Sequence, residues 1–315
     1  MPLASALTRL RAMNAPVLTR FAPAPTGDLH LGHAVNAIFV WGLARAAGGE
    51  VLLRIEDHDR QRSRPEYEVR ILDDLDWFGF QADRHPTSEY RAPESGGGRQ
   101  SARDAIYRTA LAPLLARGLI YGCRCSRADL TASADSGAAQ PRAERRYPGT
   151  CRGLGIAPGE GVAWRLRFDP GEEAFDDALM GPQRQDPAAQ CGDLLLRDRL
   201  GNWTYQCVAS IDDTVQGISA VIRGADLLES TGRQIRLARL IGRPQPAIFA
   251  HHRLVMKSST QKLSKSDRDS GIRDLRAAGW SPDAVIGHAA RLVGLPAPEK
   301  GIAANDVARL FTVDI

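Results

Sequence analysis

The first 56 residues constrain the fold most, because strand, loop, helix and strand signals follow one another there in a fixed order. The order is a strand at 17–21, a loop with Pro and Gly at 22–29, a helix at 32–47 closed by Gly48-Gly49, and a strand at 50–55. This is the opening unit of an α/β fold with a doubly wound parallel sheet, in which ligands bind beyond the carboxyl ends of the strands. Arg20 and Glu56 are both expected at such ends.

The composition is that of an ordinary globular protein. Of 315 residues, 43% are hydrophobic, which is ample for a buried core. Charged residues interrupt every apolar run before the ~18 residues that a membrane helix needs, and residues 1–16 lack the apolar centre of a signal peptide, so a cytoplasmic location is expected. The net charge of +4 permits a polyanionic partner without requiring one, because basic and acidic residues are interleaved.

After residue 55 the chain is predicted to form helices and an inserted module outside the central sheet, and then further strands of that sheet. Helices are predicted at 66–78, at 101–117 with a kink or break at Pro113, and at 227–241; strands are predicted at 162–168, 193–197, 203–208, 219–223 and 247–255. The strands at 193–197 and 203–208 are predicted to form a hairpin. Segments 92–100 and 131–146 are predicted to be mobile loops, the second of them inside an inserted module.

Two short motifs about 230 residues apart together predict a nucleotide site. His30-Leu31-Gly32-His33 opens the first predicted helix, where unpaired backbone N–H groups and the helix dipole favour phosphate. His30 and His33 add side-chain donors, and Gly32 is expected to let a ligand approach the backbone. Lys262-Leu263-Ser264-Lys265-Ser266 adds two cations in a Ser-rich loop. Alone, either motif is about as typical of a helix cap or a solvated loop, but the pair favours ATP.

Three of the five cysteines, Cys123, Cys125 and Cys151, lie in one short stretch. In a chain expected in the cytoplasm, this clustering favours a metal site over disulfide bonds. Three thiolates suit Zn²⁺, and because no His lies between residues 86 and 250, Tyr147 is the nearest candidate for a fourth ligand. The alternative is a group of buried, reduced thiols that bind no metal.

Longer motifs resemble the catalytic domain of class I glutamyl-tRNA synthetases over most of residues 17–267. The resemblance is carried by the stretch from Arg20 to His33, by Arg54-Ile55-Glu56-Asp57, by Asp212-Asp213, by Ile222-Arg223-Gly224 and by the motif from Lys262 to Ser266. It implies a Rossmann-like catalytic domain and an ATP-dependent ligase that activates L-glutamate with ATP and Mg²⁺.

The resemblance also implies roles for individual residues. Glutamate is expected to bind the side chains of Arg20, Glu56, Tyr205 and Arg223, with backbone help from Phe21, Ala22, Pro23 and Ala24. ATP is expected at His30, Gly32, His33 and Lys265, and catalysis at His30, His33, Lys262 and Lys265. Two guanidinium groups, one carboxylate and a phenol suit a ligand with two carboxylates and an ammonium. Ala24 stands where the family usually has Ser. The alternative is that the arginines pair with surface acids and Tyr205 is a core residue.

Only 49 residues follow Ser266, too few for the anticodon-binding region of a full synthetase. They are expected to form two or three helices, one at 281–293 with Ser281 as its N-cap and Pro282 next. The chain is thus similar to a truncated branch of the family with the same Cys-x-Cys, Tyr-x-x-x-Cys pattern, which implies glutamyl transfer to the queuosine base in the anticodon of tRNA(Asp). Alternatives are a short synthetase that charges the acceptor end of tRNA(Glu), a non-catalytic paralogue that binds tRNA or glutamate, and a nucleotidyltransferase.

The expected division is a first half of the catalytic domain at 17–118, an inserted zinc module at 119–192, a second half with the Lys-Ser loop at 193–267 and a short helical tail at 268–315. Arg233, Arg236 and Arg239 recur every three residues on one predicted helix. They are expected either to follow a phosphate backbone or to form a solvated helix face.

Overall fold

The computed structural model describes residues 3–92, 97–132, 146–255 and 271–312. Its strands are β1 Leu18–Phe21, β2 Glu50–Leu53, β3 Ile120–Cys123, β4 Ala163–Leu166, β5 Glu173–Asp177, β6 Gly181–Gln185, β7 Leu194–Arg197, β8 Ala220–Gly224 and β9 Ile248–His252. Its α-helices are α1 Leu3–Arg11, α2 Leu31–Ala46, α3 Pro65–Phe78, α4 Thr87–Arg91, α5 Asp104–Ala116, α6 Arg127–Ala132, α7 Pro187–Cys191, α8 Tyr205–Val215, α9 Thr231–Leu240, α10 Ile272–Ala277, α11 Pro282–Leu292 and α12 Arg309–Thr312. The motif from Lys262 to Ser266 and most of the predicted loop at 131–146 lie outside the described residues.

Parallel strands form the centre of the fold. β1 pairs with β2 in parallel, with Leu18 opposite Glu50 and Phe21 opposite Leu53. β8 pairs with β9 in the same sense. The Ser219 backbone N–H donates to the Leu18 carbonyl at 2.9 Å, which places β1 beside β8. The predicted strand-helix-strand opening is therefore confirmed, with the second strand ending at Leu53 rather than Ile55.

α2 crosses between β1 and β2 and is apolar on nearly every face, since both of its sides are covered. On the side away from the sheet it packs against α11 and α12. A Cβ at Gly42 would overlap the ring of Phe311, so only a glycine allows α12 to pack this closely. The predicted tail is therefore part of the central core, and the Ser281 hydroxyl caps α11 as expected by accepting from the Ala284 N–H at 3.3 Å.

A second core lies under an antiparallel sheet in the order β3-β4-β7. It combines Leu166 and Leu196 of that sheet with Leu111 of α5 and with Val208 and Ile211 of α8. The expected boundaries near 119 and 192 both run through this core. The division into domains stays a prediction.

Residues 203–208 do not form the predicted strand, and that prediction is wrong. Trp203 makes only a single bridge to Arg197, and α8 begins at Tyr205. The short alternation of polar and apolar residues fits a strand, but the buried Cys207, Val208 and Ile211 follow helical spacing within α8. A short alternating run of this kind does not distinguish the two structures.

The remaining predicted helices agree more closely with the structure. The helix at 66–78 is α3, and α5 runs through Pro113 without a break. The single helix predicted at 227–241 is a 3₁₀ segment, Ala225–Ser230, followed by α9. Within the described ranges, no helix has both the length and the apolar character needed to cross a membrane.

Candidate active site

A cavity of about 440 Å³ opens where the carboxyl ends of β1, β2, β8 and β9 meet. Its wall includes the sequence-predicted residues Arg20, Ala22, Ala24, His30, Gly32, His33, Glu56, Tyr205 and Arg223. Phe21 and Pro23 do not line it, and the side chain of Phe21 is buried against Trp41. Lys262 and Lys265 lie outside the described residues, so their positions relative to the cavity stay predictions.

The loop after β1 is hydrogen-bonded to the segment that follows β2. The Arg54 N–H donates to the Phe21 carbonyl and the Glu56 N–H to the Pro23 carbonyl, each at 3.0 Å. These two carbonyls are therefore engaged within the protein. Ala22 and Ala24 do line the cavity, although the Ala24 carbonyl also accepts within the loop, from the Thr26 N–H at 2.8 Å.

One buried carboxylate, Asp213 on α8, holds two arginines beneath the cavity. Arg20 Nε lies 3.1 Å and Arg54 Nη1 2.8 Å from Asp213 Oδ1. Arg54 also donates to Glu56 Oε1 at 3.0 Å. Burial raises the pKa of Asp213, but the charges and hydrogen bonds of the two arginines outweigh it and hold that pKa below its ordinary value. The contacts with Asp213 and Arg54 thus fix the orientations in which Arg20 and Glu56 line the cavity.

The neighbouring carboxylate, Asp212, faces the second core instead. It accepts from Arg103 Nε at 2.7 Å, from the Gln100 amide at 2.8 Å and from the Tyr107 hydroxyl at 3.0 Å. The Asp212-Asp213 pair therefore fixes α8 from two sides, towards α5 and towards the parallel strands. The sequence motif Asp212-Asp213 was part of the family resemblance, but no role was predicted for either residue.

Arg223, at the end of β8, is held differently from Arg20. Its partners are all neutral, and no described carboxylate forms a salt bridge with it; the acceptors are His251 Nε2 at 2.9 Å, Gln234 Oε1 at 2.7 Å, Thr231 Oγ1 at 3.0 Å, the Leu227 carbonyl at 3.3 Å and the Tyr205 hydroxyl at 3.4 Å. Arg223 is buried, and this burial lowers its pKa. Because an arginine remains cationic and none of these hydrogen-bond partners is an anion, Arg223 is suited to bind an anionic ligand.

The two histidines of the first motif cap α2 and also line the cavity. His30 Nδ1 accepts from the Gly32 N–H at 3.0 Å, and His33 Nδ1 accepts from the His30 N–H at 3.1 Å, which is a reciprocal capping box. A Cβ at Gly32 would lie 2.8 Å from the His30 ring. Gly32 is therefore needed for the ring to fold over the helix start, a different reason from the ligand approach that the sequence suggested.

Several cavity residues were not expected from the sequence, among them Asn36, His58, Asp226 and His252. His252 Nε2 lies 3.1 Å from Asn36 Oδ1, and its ring stacks on Phe39 with centroids 4.7 Å apart. His252 ends the observed β9, but the strand predicted at 247–255 runs three residues further, so the strand-end rule did not identify His252 from the sequence.

The three clustered cysteines meet at the end of β3. The Sγ atoms of Cys123, Cys125 and Cys151 all lie within 4.8 Å of one another, and those of Cys125 and Cys151 are 3.6 Å apart. The Tyr147 hydroxyl lies 3.5 Å from Cys123 Sγ and accepts from the Cys151 N–H at 2.8 Å. All of the sequence-predicted ligands are thus in one place, while Cys191 and Cys207 belong to the other core.

Without a bound cation, the thiols of this cluster are not all expected to ionise. Burial, together with Cys151 and Cys123, raises the pKa of the Cys125 thiol to about 12. A positive charge among the sulfurs is required to hold all three as thiolates at neutral pH. The Arg165 guanidinium lies 3.7 Å from the centre of the Tyr147 ring, on its face, and fixes the ring in place.

The arginine row on α9 is neither a solvated face nor a free phosphate-binding row. Arg233 is buried, and Arg236 and Arg239 both pair with Glu173, at 2.9 and 2.7 Å. Arg236 also donates to the carbonyls of Asp169 and Gly171. The row therefore attaches α9 to the segment around β5, and the phosphate interpretation is not supported.

Fold and site together define a class I tRNA synthetase. The chain belongs to that family, because residues 16–314 match the model described as tRNA synthetases class I (E and Q), catalytic domain. It is an enzyme of the ligase class. The glutamyl-Q tRNA(Asp) synthetase of Symbiobacterium thermophilum is 42% identical over 92% of this chain and 93% of that protein. The protein of the same name from Rhodobacter capsulatus is 40% identical over 89% of this chain and 100% of that protein.

Solved structures agree with this assignment. A glutamate tRNA ligase from Elizabethkingia meningosepticum, crystallised in complex with its amino acid, superposes with a TM-score of 0.75 at 25% identity and covers 95% of this chain. A glutamate-tRNA synthetase from Elizabethkingia anophelis gives a TM-score of 0.77 at 26% identity. The present chain spans 66% and 67% of the length of those two proteins.

Proposed function

We propose that the protein activates L-glutamate with ATP and transfers the glutamyl group to the queuosine base in the anticodon of tRNA(Asp). One observation carries the glutamate part of the proposal: two buried guanidinium groups, a carboxylate and a phenol line the same cavity. These groups complement an amino acid with two carboxylates and an ammonium.

In the proposed complex the arginines differ in role because they differ in charge balance. Arg20 shares Asp213 with Arg54, whereas Arg223 has only neutral partners within the described residues. Arg223 is therefore the stronger site for a carboxylate, with the Tyr205 hydroxyl beside it. Glu56 uses Oε1 to accept from Arg54 and is proposed to accept from the substrate ammonium through Oε2. Ala24 provides only its backbone where the family has a hydroxyl.

The first step joins the glutamate α-carboxylate to the α-phosphorus of ATP. A carboxylate oxygen attacks that phosphorus, the bond to the bridging oxygen breaks, and pyrophosphate leaves with the electron pair. The start of α2, with His30, Gly32 and His33, is proposed to stabilise the charge that develops on the phosphate oxygens. Mg²⁺ bound with ATP neutralises the leaving phosphates. Lys262 and Lys265 are proposed to add positive charge from outside the described residues.

The second step transfers the acyl group. A nucleophile of the modified base attacks the acyl carbon of glutamyl-adenylate, and AMP leaves. The names of the 40% and 42% identical relatives support tRNA(Asp) as the acceptor. This part of the proposal rests on those names and on the resemblance, because no cavity residue by itself distinguishes an anticodon base from a tRNA 3′ end.

We further propose one structural zinc ion, held by Cys123, Cys125, Cys151 and Tyr147. A tetrahedral site with Zn–S bonds of about 2.3 Å separates sulfurs by about 3.8 Å. The described Sγ atoms are spaced close to this, with one pair at 3.6 Å and all pairs within 4.8 Å. The ion would fix the segment around Tyr147 and Cys151 to the end of β3. We also propose that the chain divides at 118, 192 and 267 into the parts expected from the sequence. The parallel strands are proposed to form a doubly wound sheet.

Transfer of radiolabelled glutamate tests the proposal. With ATP and Mg²⁺, the protein is incubated with total tRNA from cells that make queuosine and from cells that cannot. Label confined to the queuosine-containing pool, and resistant to periodate treatment of the tRNA 3′ ends before the reaction, is expected. Equal labelling of both pools that periodate abolishes would identify an acceptor-end synthetase, and no labelling would favour a binding protein.

A matched pair of variants connects the assay to the cavity. Arg223→Gln removes the guanidinium, and labelling is expected to fall by about 100-fold or more, the effect of losing a paired charge-assisted contact. Arg239→Gln makes the same chemical change at a half-exposed arginine that contacts Glu173, outside the cavity. It is expected to retain activity.

A further inference from the structure

Behind Arg223 lies a buried pair of residues that neither the motifs nor the cavity lining includes. Asp177 ends β5, and His251 lies on β9, where the parallel register places it opposite Arg223. Asp177 Oδ2 is 2.6 Å from His251 Nδ1, and His251 Nε2 is 2.9 Å from Arg223 Nε. Asp177 and His251 are only 1% and 0% exposed, so solvent does not replace either contact.

The contacts determine where the imidazole proton lies. The Arg223 Nε–H can only donate, so His251 Nε2 must be unprotonated and accept. The single proton of a neutral imidazole then lies on Nδ1 and is donated to Asp177 Oδ2. Burial and the charge of Arg223 lower the pKa of His251, which agrees with the neutral form even though Asp177 acts in the other direction.

Asp177 is itself fixed in one orientation. Its Oδ1 accepts from the backbone N–H groups of Leu179 at 3.0 Å, Met180 at 2.9 Å and His251 at 3.1 Å. Only Oδ2 remains for the imidazole. The carboxylate therefore selects the tautomer, and the tautomer provides the acceptor that Arg223 needs.

The contacts of Arg223 divide into a tight side and a loose side. The contacts to Gln234, His251 and Thr231 are 2.7 to 3.0 Å long. The contacts to the Leu227 carbonyl and the Tyr205 hydroxyl are 3.3 and 3.4 Å, and both residues line the cavity. Nη1 and Nη2 each make one short and one long contact, and both long contacts go to cavity-lining residues. A carboxylate in the cavity can replace these two long contacts in a bidentate approach.

We propose that Asp177 and His251 are positioning residues that orient Arg223 towards the substrate carboxylate through a single, fixed imidazole tautomer. This inference deepens the proposed function and rests on Arg223 as a glutamate-binding residue. A neutral imidazole holds the guanidinium without neutralising it, which a carboxylate in the same place would do. The substrate then provides the compensating negative charge.

Two substitutions at one position separate the two hydrogen bonds. His251→Gln places an amide oxygen near the position of Nε2 and keeps the acceptor for Arg223. His251→Asn places its amide near Nδ1 and loses that acceptor. Asp177→Asn keeps the side-chain shape but puts an NH₂ group towards Nδ1, so the imidazole must turn its Nε2–H against Arg223. His288→Asn, on α11 and away from the cavity, is the matched control.

L-glutamate binding is measured by titration calorimetry, with thermal unfolding measured on every variant. His251→Asn and Asp177→Asn are expected to raise the Kd for L-glutamate by about 10- to 100-fold, the effect of one hydrogen bond to a charged group. His251→Gln is expected to remain within about threefold of the wild type. Equal loss in His251→Gln and His251→Asn, or wild-type binding in His251→Asn, would overturn the proposal.

Nitrogen NMR of the unmodified protein gives an independent reading. The His251 ring is expected to carry its proton on Nδ1 and not on Nε2, and the Arg223 Nε–H to exchange slowly with solvent. A protonated Nε2 would overturn the proposal even if every variant failed to fold. If the wild type bound no L-glutamate, the proposed function would fail, whereas these signals would still decide whether His251 positions Arg223.

Discussion

Asp74, on α3, provides the clearest test of the electrostatic reasoning because it is a buried acid that the fold does not pair. Its side chain is 0% exposed, and neither carboxylate oxygen has a hydrogen-bond partner among the described residues. Burial raises its pKa from 3.8 to about 6, with Arg273 and Arg276 acting against the shift and Asp28 and Asp73 adding to it. We therefore expect Asp74→Asn to stabilise the protein at neutral and alkaline pH.

The sign and size follow from proton linkage. The folded state binds the Asp74 proton more tightly than the unfolded state, so the contribution of this group to stability is fully present below about pH 4 and is lost as the pH rises through about 6. A shift of about two pKa units corresponds to about 3 kcal/mol, of which about 1.4 kcal/mol is lost between pH 5 and pH 8. An asparagine does not titrate, so its contribution to the free energy of unfolding does not change with pH.

Urea unfolding of the wild type and of Asp74→Asn at pH 5, 6, 7 and 8 measures this effect. The difference in unfolding free energy, variant minus wild type, is expected to increase by about 1.4 kcal/mol over that range, whatever the offset from burying an amide. Asp176→Asn is the control, because Asp176 is 59% exposed, pairs with Arg9 and is not among the charges that act on Asp74. A pH-independent difference for Asp74→Asn, or one that falls with pH, would refute the reasoning.

Three further outcomes are expected. Elemental analysis should find about one zinc per chain, none after Cys123→Ser with Cys125→Ser, and an unchanged content in Cys191→Ser, a buried thiol outside the cluster. Asp213→Asn leaves two buried guanidinium groups without their shared carboxylate and should lower the unfolding free energy by about 3–5 kcal/mol in urea titrations; a loss below about 1 kcal/mol would mean that water or other acceptors replace it. Lys265→Ala should abolish glutamate-dependent pyrophosphate exchange while thermal unfolding is unchanged, and unchanged exchange would remove Lys265 from the mechanism.

The parts of the fold that were predictable depend on local signals. The β1-α2-β2 unit combines helical apolar spacing with a glycine of positive φ, Gly48, just past the helix end. Strand ends then identify the cavity residues Arg20, Glu56 and Arg223 without any tertiary information. The clustered cysteines were predictable for the same reason, because positions 123, 125 and 151 lie close together in the sequence.

What the sequence could not provide depends on distant pairing. Asp177 and His251 are 74 residues apart, and only the register of β8 against β9 places His251 beside Arg223. The strand predicted at 203–208 failed because a six-residue alternation fits both a strand and one face of a helix. The nine-residue α1 was not predicted either. Its helical pattern becomes clear only once Leu3, Leu7 and Leu10 are known to be buried on one face.

The shared carboxylate of Asp213 has a consequence for the order in which the protein folds. Its partners Arg20, on β1, and Arg54, directly after β2, are 193 and 159 residues away along the chain. Loops of this length close slowly, and until they close each arginine is a solvated cation that opposes collapse of the sheet around it. We therefore expect the contacts of Arg20 and Arg54 with Asp213 to form only once α8 has docked. We expect that a nascent chain ending before α8 lacks the carboxylate that Arg20 and Arg54 share, and that only Arg54 then retains an acidic partner, Glu56.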